Sequence, residues 1–230
     1  MEYKKLVKDT IQPANSDKMA LFDRYYHLLV EWNEKFNLTA ITDEEEVYLK
    51  HFYDSIVGEK YIHEGAHIAD IGAGAGFPSI PLKIVRDDIT VDMFDSLGKR
   101  ITFLNEVIGA LDLDNITATH TRVEDVAKTS RGKYDYIVAR AVASLPTLLE
   151  YAMPLLKVGG KLIAYKGSNV EEELEASQNA LKVLGASIVS VDTFTLADTD
   201  ITRSFVIVQL DKPVAKKYPR GQNKPKSNPL

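Results

Sequence analysis

Ile68-Ala69-Asp70-Ile71-Gly72-Ala73-Gly74-Ala75-Gly76-Phe77-Pro78 is the stretch on which the reading of this chain turns. A short apolar run leads into three glycines at alternate positions. Glycine is needed where a chain leaving a strand must turn tightly with positive φ and let a ligand approach the backbone. The dinucleotide fingerprint G-x-G-x-x-G would place a further glycine at position 77, and Phe77 stands there instead. Pro78 removes a backbone donor from the first turn of the following helix, a poor choice for holding a diphosphate. Nineteen residues after Gly76 the next apolar run ends at Asp95, where doubly wound folds put an acid on the two ribose hydroxyls of an adenosine. A ribose acid without the diphosphate-type glycine points to an adenosine cofactor that lacks phosphate, which describes S-adenosylmethionine.

Outward from this turn the pattern is an alternation. His67 to Ile71, Thr90 to Phe94, Ile116 to Thr119, Tyr134 to Ala139 and Lys161 to Tyr165 read as buried strands. Amphipathic stretches at Ser79 to Val85, Ile101 to Ala110, Val123 to Ala127 and Leu145 to Met153 separate them. Ser187 to Phe194 and Ser204 to Leu210 follow a helix that starts after Asn169 and stops at Gly185, and their short connection predicts an antiparallel pair at the end of the sheet. Before the core, Leu21, Tyr25, Leu28, Leu29, Trp32 and Phe36 make one apolar helical stripe opposite Asp23, Arg24, Glu31 and Glu34. A second helix starts at Thr42 or Asp43 and runs through Val47, Leu49, Phe52 and Ile56. The expectation is an α/β fold: a doubly wound, mostly parallel seven-stranded, Rossmann-like sheet over residues 63–211, with an N-terminal helical extension (1–62) and a C-terminal tail (212–230).

Composition narrows the chemistry. The 230 residues include no cysteine, which excludes disulfides, thiolate zinc sites, iron–sulfur clusters and a cysteine nucleophile. With no apolar leader behind the amino terminus and no long apolar run, the chain reads as cytoplasmic, without a membrane partner. The net charge of −5 hides a division. From Lys212 to Leu230 there are six cations and no acid, while the remainder carries 22 cations against 33 acids, a net of −11. Four of the nine prolines lie in that tail, so it reads as an extended basic arm with little structure of its own.

Two local patterns are weaker. His63-Glu64-Gly65-Ala66-His67 satisfies H-E-x-x-H, but Gly65 breaks the helix that this zinc motif needs, so no metal is expected. His51 and Asp54, three apart on a helix, read as a local hydrogen-bonding pair that would lie near the pocket if the helix folds over the strand ends.

Taken in order, the motifs match a known family. They are Trp32-Asn33 with Asn37-Leu38-Thr39, His51-Phe52-Tyr53-Asp54-Ser55, Asp70 to Pro78 with Ile80-Pro81, Asp95 to Arg100, Arg122-Val123-Glu124, Ala139 to Ala143, and Lys166-Gly167. A looser match follows at Tyr218-Pro219-Arg220-Gly221. On these residues the chain resembles the bacterial ribosomal RNA small subunit methyltransferase G family, also called the glucose-inhibited division protein B family. Ser79 departs from the glycine that many members carry, and the ending around Gln222 to Lys226 is less regular. The resemblance implies a class I S-adenosylmethionine-dependent methyltransferase acting at N7 of a guanosine in a conserved loop of 16S rRNA, free or in the small ribosomal subunit. It implies that Gly72, Gly74 and Phe77 shape the cofactor pocket, Asp95 holds the ribose, Val123 and Glu124 meet the adenine edge, and Arg140 lies at the cofactor and substrate mouth. Lys99, Arg100, Lys166, Arg203, Lys216, Lys217 and Arg220 are the candidates for RNA contact. A monomer is expected.

The chemistry agrees with the residues. Guanine N7 carries an in-plane lone pair and needs no deprotonation before it attacks a sulfonium methyl, so positioning replaces a general base. Methyltransferases of exocyclic amines have Asn/Asp-Pro-Pro-aromatic after the fourth strand, and this chain has Ala139-Arg140-Ala141-Val142. Arg140 also has a structural alternative, as a partner of Asp70 or Glu124. A small-molecule methyltransferase, a nicotinamide oxidoreductase and a noncatalytic RNA-binding module are the rival readings, each weakened by the motif order, Phe77 or Asp95. Deleting residues 212–230 is expected to spare cofactor binding and weaken RNA binding.

Overall fold

The apolar runs pair into one sheet in a computed structural model that describes residues 2–11 and 16–230. The strands are β1 (His67–Ile71), β2 (Thr90–Asp95), β3 (Ile116–His120), β4 (Tyr134–Arg140), β5 (Leu156–Lys166), β6 (Ala186–Thr195) and β7 (Thr202–Leu210). Their order is β3-β2-β1-β4-β5-β7-β6, with β1 to β5 parallel and β7 antiparallel to both neighbours. The seven-stranded, mostly parallel sheet is the expected one. β5 begins five residues earlier than the apolar run, because Gly159 and Gly160 carry it through a register shift against β4. A Cβ on Gly160 would lie 2.9 Å from the Asp135 and Lys157 carbonyl oxygens, so the strand can pass there only without a side chain.

Helices α5 (Ser79–Val85), α6 (Gly98–Ala110), α7 (Val123–Thr129) and α8 (Leu145–Ala152) make the crossovers, and apolar cores lie on both faces of the sheet. The helix expected from 169 to 185 is two helices, α9 (Val170–Ala176) and α10 (Gln178–Leu184). The break is at Ser177, whose hydroxyl donates to the Glu173 carbonyl at 2.6 Å and competes with the helical ladder. Gly185, at φ 72°, provides the expected stop.

Ahead of the core, α1 (Glu2–Thr10) and α2 (Ser16–Phe36) lie against it. Tyr25 and Leu29 of the expected stripe are fully buried, as is Phe22 beside it. Tyr25 stacks on Phe52 and meets Phe77 at 5.5 Å, and its hydroxyl donates to the Ala75 carbonyl in the glycine turn. Asp43 caps α3 (Glu44–Val47), which passes into a wide π-helical turn (Tyr48–Tyr53) before α4 (Asp54–Ile56). Such widened turns concentrate at functional sites, and this one carries His51 to the strand ends.

The chain moves outward from β1 to β3 and then returns to place β4 beside β1. That reversal opens a crevice at the carboxyl ends of β1 and β4, the place where open α/β sheets bind ligands. Gly72 and Arg140 sit at those two strand ends. The basic tail is no free arm. Tyr218 and Pro225 are buried, and α11 (Lys224–Ser227) packs on α8. Among the described residues no helix is long and apolar enough to cross a membrane.

Candidate functional site

Gly72, Gly74 and Gly76 have φ of 75°, 60° and 97°. This conformation bends the chain over the end of β2: the Gly72 and Ala73 amides donate to the Phe94 carbonyl, and the Gly74 amide donates to Asp95 Oδ2 at 2.9 Å. A Cβ on Gly72 would lie 2.9 Å from Val142 Cγ2. Asp95 is buried, and its carboxylate also receives the Leu97 amide at 2.9 Å and Arg100 Nη1 at 3.1 Å.

Two cavities open beside this turn. One, of about 600 Å³, is lined by Gly72, Asp95, Val123, Glu124 and Tyr151, and by Asn223 and Lys226 of the tail. The other, of about 780 Å³, is lined by His51, Asp54, Arg140, Lys166 and Arg203. Ala141, Val142 and Ala143 line both, so the loop after β4 is the partition between them. Ala141 has φ 57°, an uncommon conformation for a residue with a Cβ, and one typical of positions that a site holds under constraint. The sequence did not single out this partition, Tyr151, or the two tail residues. The run Ala139 to Ala143 after β4 was the available signal.

Arg140 organises the larger cavity. Its Nη1 donates to the Lys50 carbonyl at 3.0 Å and to Asp54 Oδ2 at 3.2 Å, and its guanidinium lies over the Phe77 ring at 5.0 Å. Nη2 donates to His51 Nδ1 at 3.1 Å, which leaves the other ring nitrogen to donate to Thr39 Oγ1 at 2.8 Å. The His51 ring stacks on Phe77 at 4.4 Å. Burial, reinforced by the Arg140 charge, pushes the His51 imidazole down to about 3 and keeps it neutral. Asp54 is buried and binds Arg203 Nε through both oxygens at 3.1 Å. Arg140 is thus paired with Asp54, and neither Asp70 nor Glu124 is its hydrogen-bond partner. His51 and Asp54 do not bond each other; the arginine stands between them.

Asp70 lies fully buried under the turn. Ser79, the departure from the family glycine, donates to its Oδ2 at 2.6 Å, while Oδ1 has no hydrogen-bond partner. Burial pushes this carboxyl up to about 7.

The remaining candidates divide. Gly74 and Phe77 line neither cavity; they stand one layer behind, under Asp95 and Arg140 respectively. Lys166 lies in the larger cavity but is bound to Glu173 at 2.6 Å and to the Ala143 carbonyl at 2.9 Å. Lys99 donates to the Phe36 carbonyl. Lys216 and Lys217 are exposed on the tail, outside both cavities. Arg220, a candidate for RNA contact, forms a double hydrogen bond with the fully buried Glu150. The His63 and His67 pair is split, His67 standing on β1 and bound to Asp92, with no helix to present both rings on one face.

Comparison with known proteins gives the family. The family profile described as rRNA small subunit methyltransferase G matches residues 18–202. A ribosomal RNA small subunit methyltransferase G of Halalkalibacterium halodurans is 49% identical over 213 residues, covering 91% of this chain and 90% of its own length. One from Alkaliphilus metalliredigens is 43% identical over 238 residues, covering both chains completely. Among solved structures, a SAM-dependent methyltransferase from Aquifex aeolicus superposes with a TM-score of 0.55 at 18% identity, over 73% of this chain and 94% of that one. The P. horikoshii protein TYW2, solved with MeSAdo, superposes with a TM-score of 0.58 at 14% identity, over 70% of this chain and 63% of that one. These two likenesses speak for the Rossmann-like fold, and the sequence relatives speak for more. With its profile, its near-complete relatives and the crevice between β1 and β4 in agreement, the chain belongs to the ribosomal RNA small subunit methyltransferase G family.

Proposed function

We propose that the chain transfers the methyl of S-adenosylmethionine to N7 of a guanosine in 16S rRNA, in line and without a general base. The smaller cavity takes the cofactor: Asp95 receives the ribose hydroxyls, and Val123 and Glu124 border the adenine. The backbone at Gly72 leaves room for the methionine end, which reaches the Ala141 to Ala143 partition. The larger cavity takes the guanine.

The observation that carries this reading is the state of the titratable groups in the larger cavity. The Asp54 oxygens are occupied by Arg140 and Arg203, His51 is neutral with both ring nitrogens engaged, and Glu173 is bound to Lys166 and to the Leu145 amide. None is placed to take a proton, and an N7 lone pair needs none taken. The cavity can contribute by alignment instead, which supplies up to about 7–11 kcal/mol of a barrier. Its cationic lining suits an acceptor edge of guanine, N7 and O6, and neighbouring phosphates.

The test is transfer of labelled methyl from S-adenosylmethionine to unmodified 16S rRNA and to small ribosomal subunits. Mapping by borohydride reduction and aniline scission, which cut at N7-methylguanosine, locates the product. Label at a guanosine with scission there is the expected result. Absence of label from both substrates refutes the reading, and label without scission refutes N7.

A further inference from the structure

The tail was expected to be an independent RNA arm, and its placement says otherwise. We propose that residues 218–230 form the outer wall of the cofactor cavity, with Asn223 and Lys226 as cofactor-side residues and Arg220 as the residue that positions them. The inference rests on the reading that the smaller cavity takes S-adenosylmethionine.

Three anchors hold the segment. Glu150 on α8 is fully buried and accepts from the Arg220 amide at 2.7 Å, from Nε at 2.9 Å and from Nη2 at 2.7 Å. The buried Thr147 hydroxyl donates to the Pro225 carbonyl at 2.9 Å. Arg131 gathers the carbonyls of Val214, Ala215 and Tyr218 at 2.7–2.9 Å, fixing the approach to the segment. Between the anchors Gln222 and Asn223, at φ 59° and 58°, turn the chain so that Asn223 and Lys226 face the cavity.

A tail kept for solubility does not need a buried acid for its arginine. Leaving Glu150 uncompensated would be strongly unfavourable, so the body is built to receive this segment. The same helix links anchor and cavity, because Tyr151 follows Glu150 and its hydroxyl points to Glu124 at 3.4 Å. α11 packs on α8, the helix that carries Tyr151, and Asn223 and Lys226 line the same cavity as Val123 and Glu124, so the wall is assigned to the adenine end, where it would cover a neutral purine and not the charged methionine end. Covering such a face removes apolar surface from water, and a cleft that encloses most of its ligand binds it better than an open one.

Calorimetric titration with S-adenosylhomocysteine, without RNA, tests this on the full chain, on the chain lacking residues 222–230, and on the doubly substituted Asn223→Ala, Lys226→Ala chain. Unliganded thermal denaturation is measured alongside. Expected are a loss of affinity of about tenfold on truncation and about threefold in the double variant, whose unliganded transition should fall by no more than the roughly 1–2 kcal/mol that alanine costs at the left-handed position 223. Arg220→Ala should lower affinity like the truncation, at temperatures where the unliganded chain is folded. Adenosine alone should lose affinity by the same factors, because the wall acts at that end. A double variant that binds S-adenosylhomocysteine within twofold of the parent overturns the proposal. Failure of the parent chain itself to bind would instead overturn the cofactor reading.

Discussion

Replacing Asp54 by alanine is the most direct test of how the larger cavity is held. Asp54 is 3% exposed and is the shared anion of Arg140 and Arg203, with contacts at 3.1–3.2 Å. Removing one partner of a buried ion pair costs about 3–5 kcal/mol, because the stranded charge keeps its desolvation penalty. Two features move the expectation to the lower end. Arg140 retains the Lys50 carbonyl, His51 Nδ1 and the Phe77 ring face, and Arg203 is about a quarter exposed. The expected loss is therefore about 3 kcal/mol. With a urea dependence of about 1–3 kcal/mol per molar, the midpoint should fall by about 1–3 M. The chain's single tryptophan, Trp32, packs on Phe103 at 5.8 Å and reports the transition by its fluorescence. Asp54→Asn, which keeps an acceptor oxygen, should lose less than Asp54→Ala. A cycle pairing Asp54→Ala with Arg203→Ala should show a coupling of about 1 kcal/mol or more. A midpoint shift below about 0.3 M for Asp54→Ala would refute the claim that this carboxylate holds the two arginines. Methyl transfer by the same variant should fall further than its stability loss accounts for, since Arg140 borders the partition.

Other expectations follow from the same geometry. Gly72→Ala should lose about 2–4 kcal/mol in denaturation, from the left-handed backbone and the clash with Val142 together, and should no longer bind S-adenosylhomocysteine; parental binding would refute the close approach. His51 is held near 3 against an unfolded value of 6.5, so the stability it contributes is complete above 6.5 and lost as pH falls towards 3. Asp70 is raised to about 7 from 3.8, so its contribution is complete below 3.8 and lost as pH rises towards 7. Between pH 4.5 and 6 the two slopes oppose each other at about 1.4 kcal/mol per pH unit. Relative to the parent, stability should fall with rising pH in His51→Gln and rise in Asp70→Asn; slopes of the same sign would refute the assignment. Replacing the exposed Lys216, Lys217 and Lys224 by glutamine should reduce the slope of log affinity against log salt for single-stranded rRNA fragments by about 2, and an unchanged slope would remove the tail from the RNA interface.

The parts of the molecule legible in sequence are those fixed by neighbours along the chain. The glycine turn and Asp95 follow local rules of strand, turn and strand end, and both lie where those rules put them. The start of β5 was hidden because Gly159 and Gly160, required by the close passage over β4, interrupt its apolar pattern. Pairings over long separations were not legible. Arg140 and Asp54 stand 86 residues apart, and Arg220 and Glu150 stand 70 apart. Glu150 follows Leu148 and Leu149 in an amphipathic stretch, where a lone acid reads as a solvent-facing charge. The tail was misread for a related reason: lysine and proline content measures how little a segment can bury by itself, and says nothing of a buried acid waiting elsewhere.

That last point changes how an acidic body can act on RNA. Counted in sequence, the arginines and lysines around the crevice look like a phosphate-binding patch. In the structure Arg140 and Arg203 share Asp54, Arg100 meets Asp95, Lys166 meets Glu173, and Arg220 meets Glu150. Each of these charges is largely cancelled within a few ångströms, so the field they present to a distant polyanion is small, and screening at physiological salt reduces it further. Their fixed hydrogen-bond geometry gives them orientation at the mouth and little long-range attraction. Exposed lysines without an acid beside them, such as Lys216, Lys217 and Lys224, supply attraction and little orientation. Affinity and alignment are then separable: substitutions in the tail should change how much RNA is bound, and substitutions around Arg140 should change whether the bound RNA is methylated. Asn223 and Lys226 are where the two meet, because the tail that carries the attracting charge also lines the cavity proposed for the cofactor.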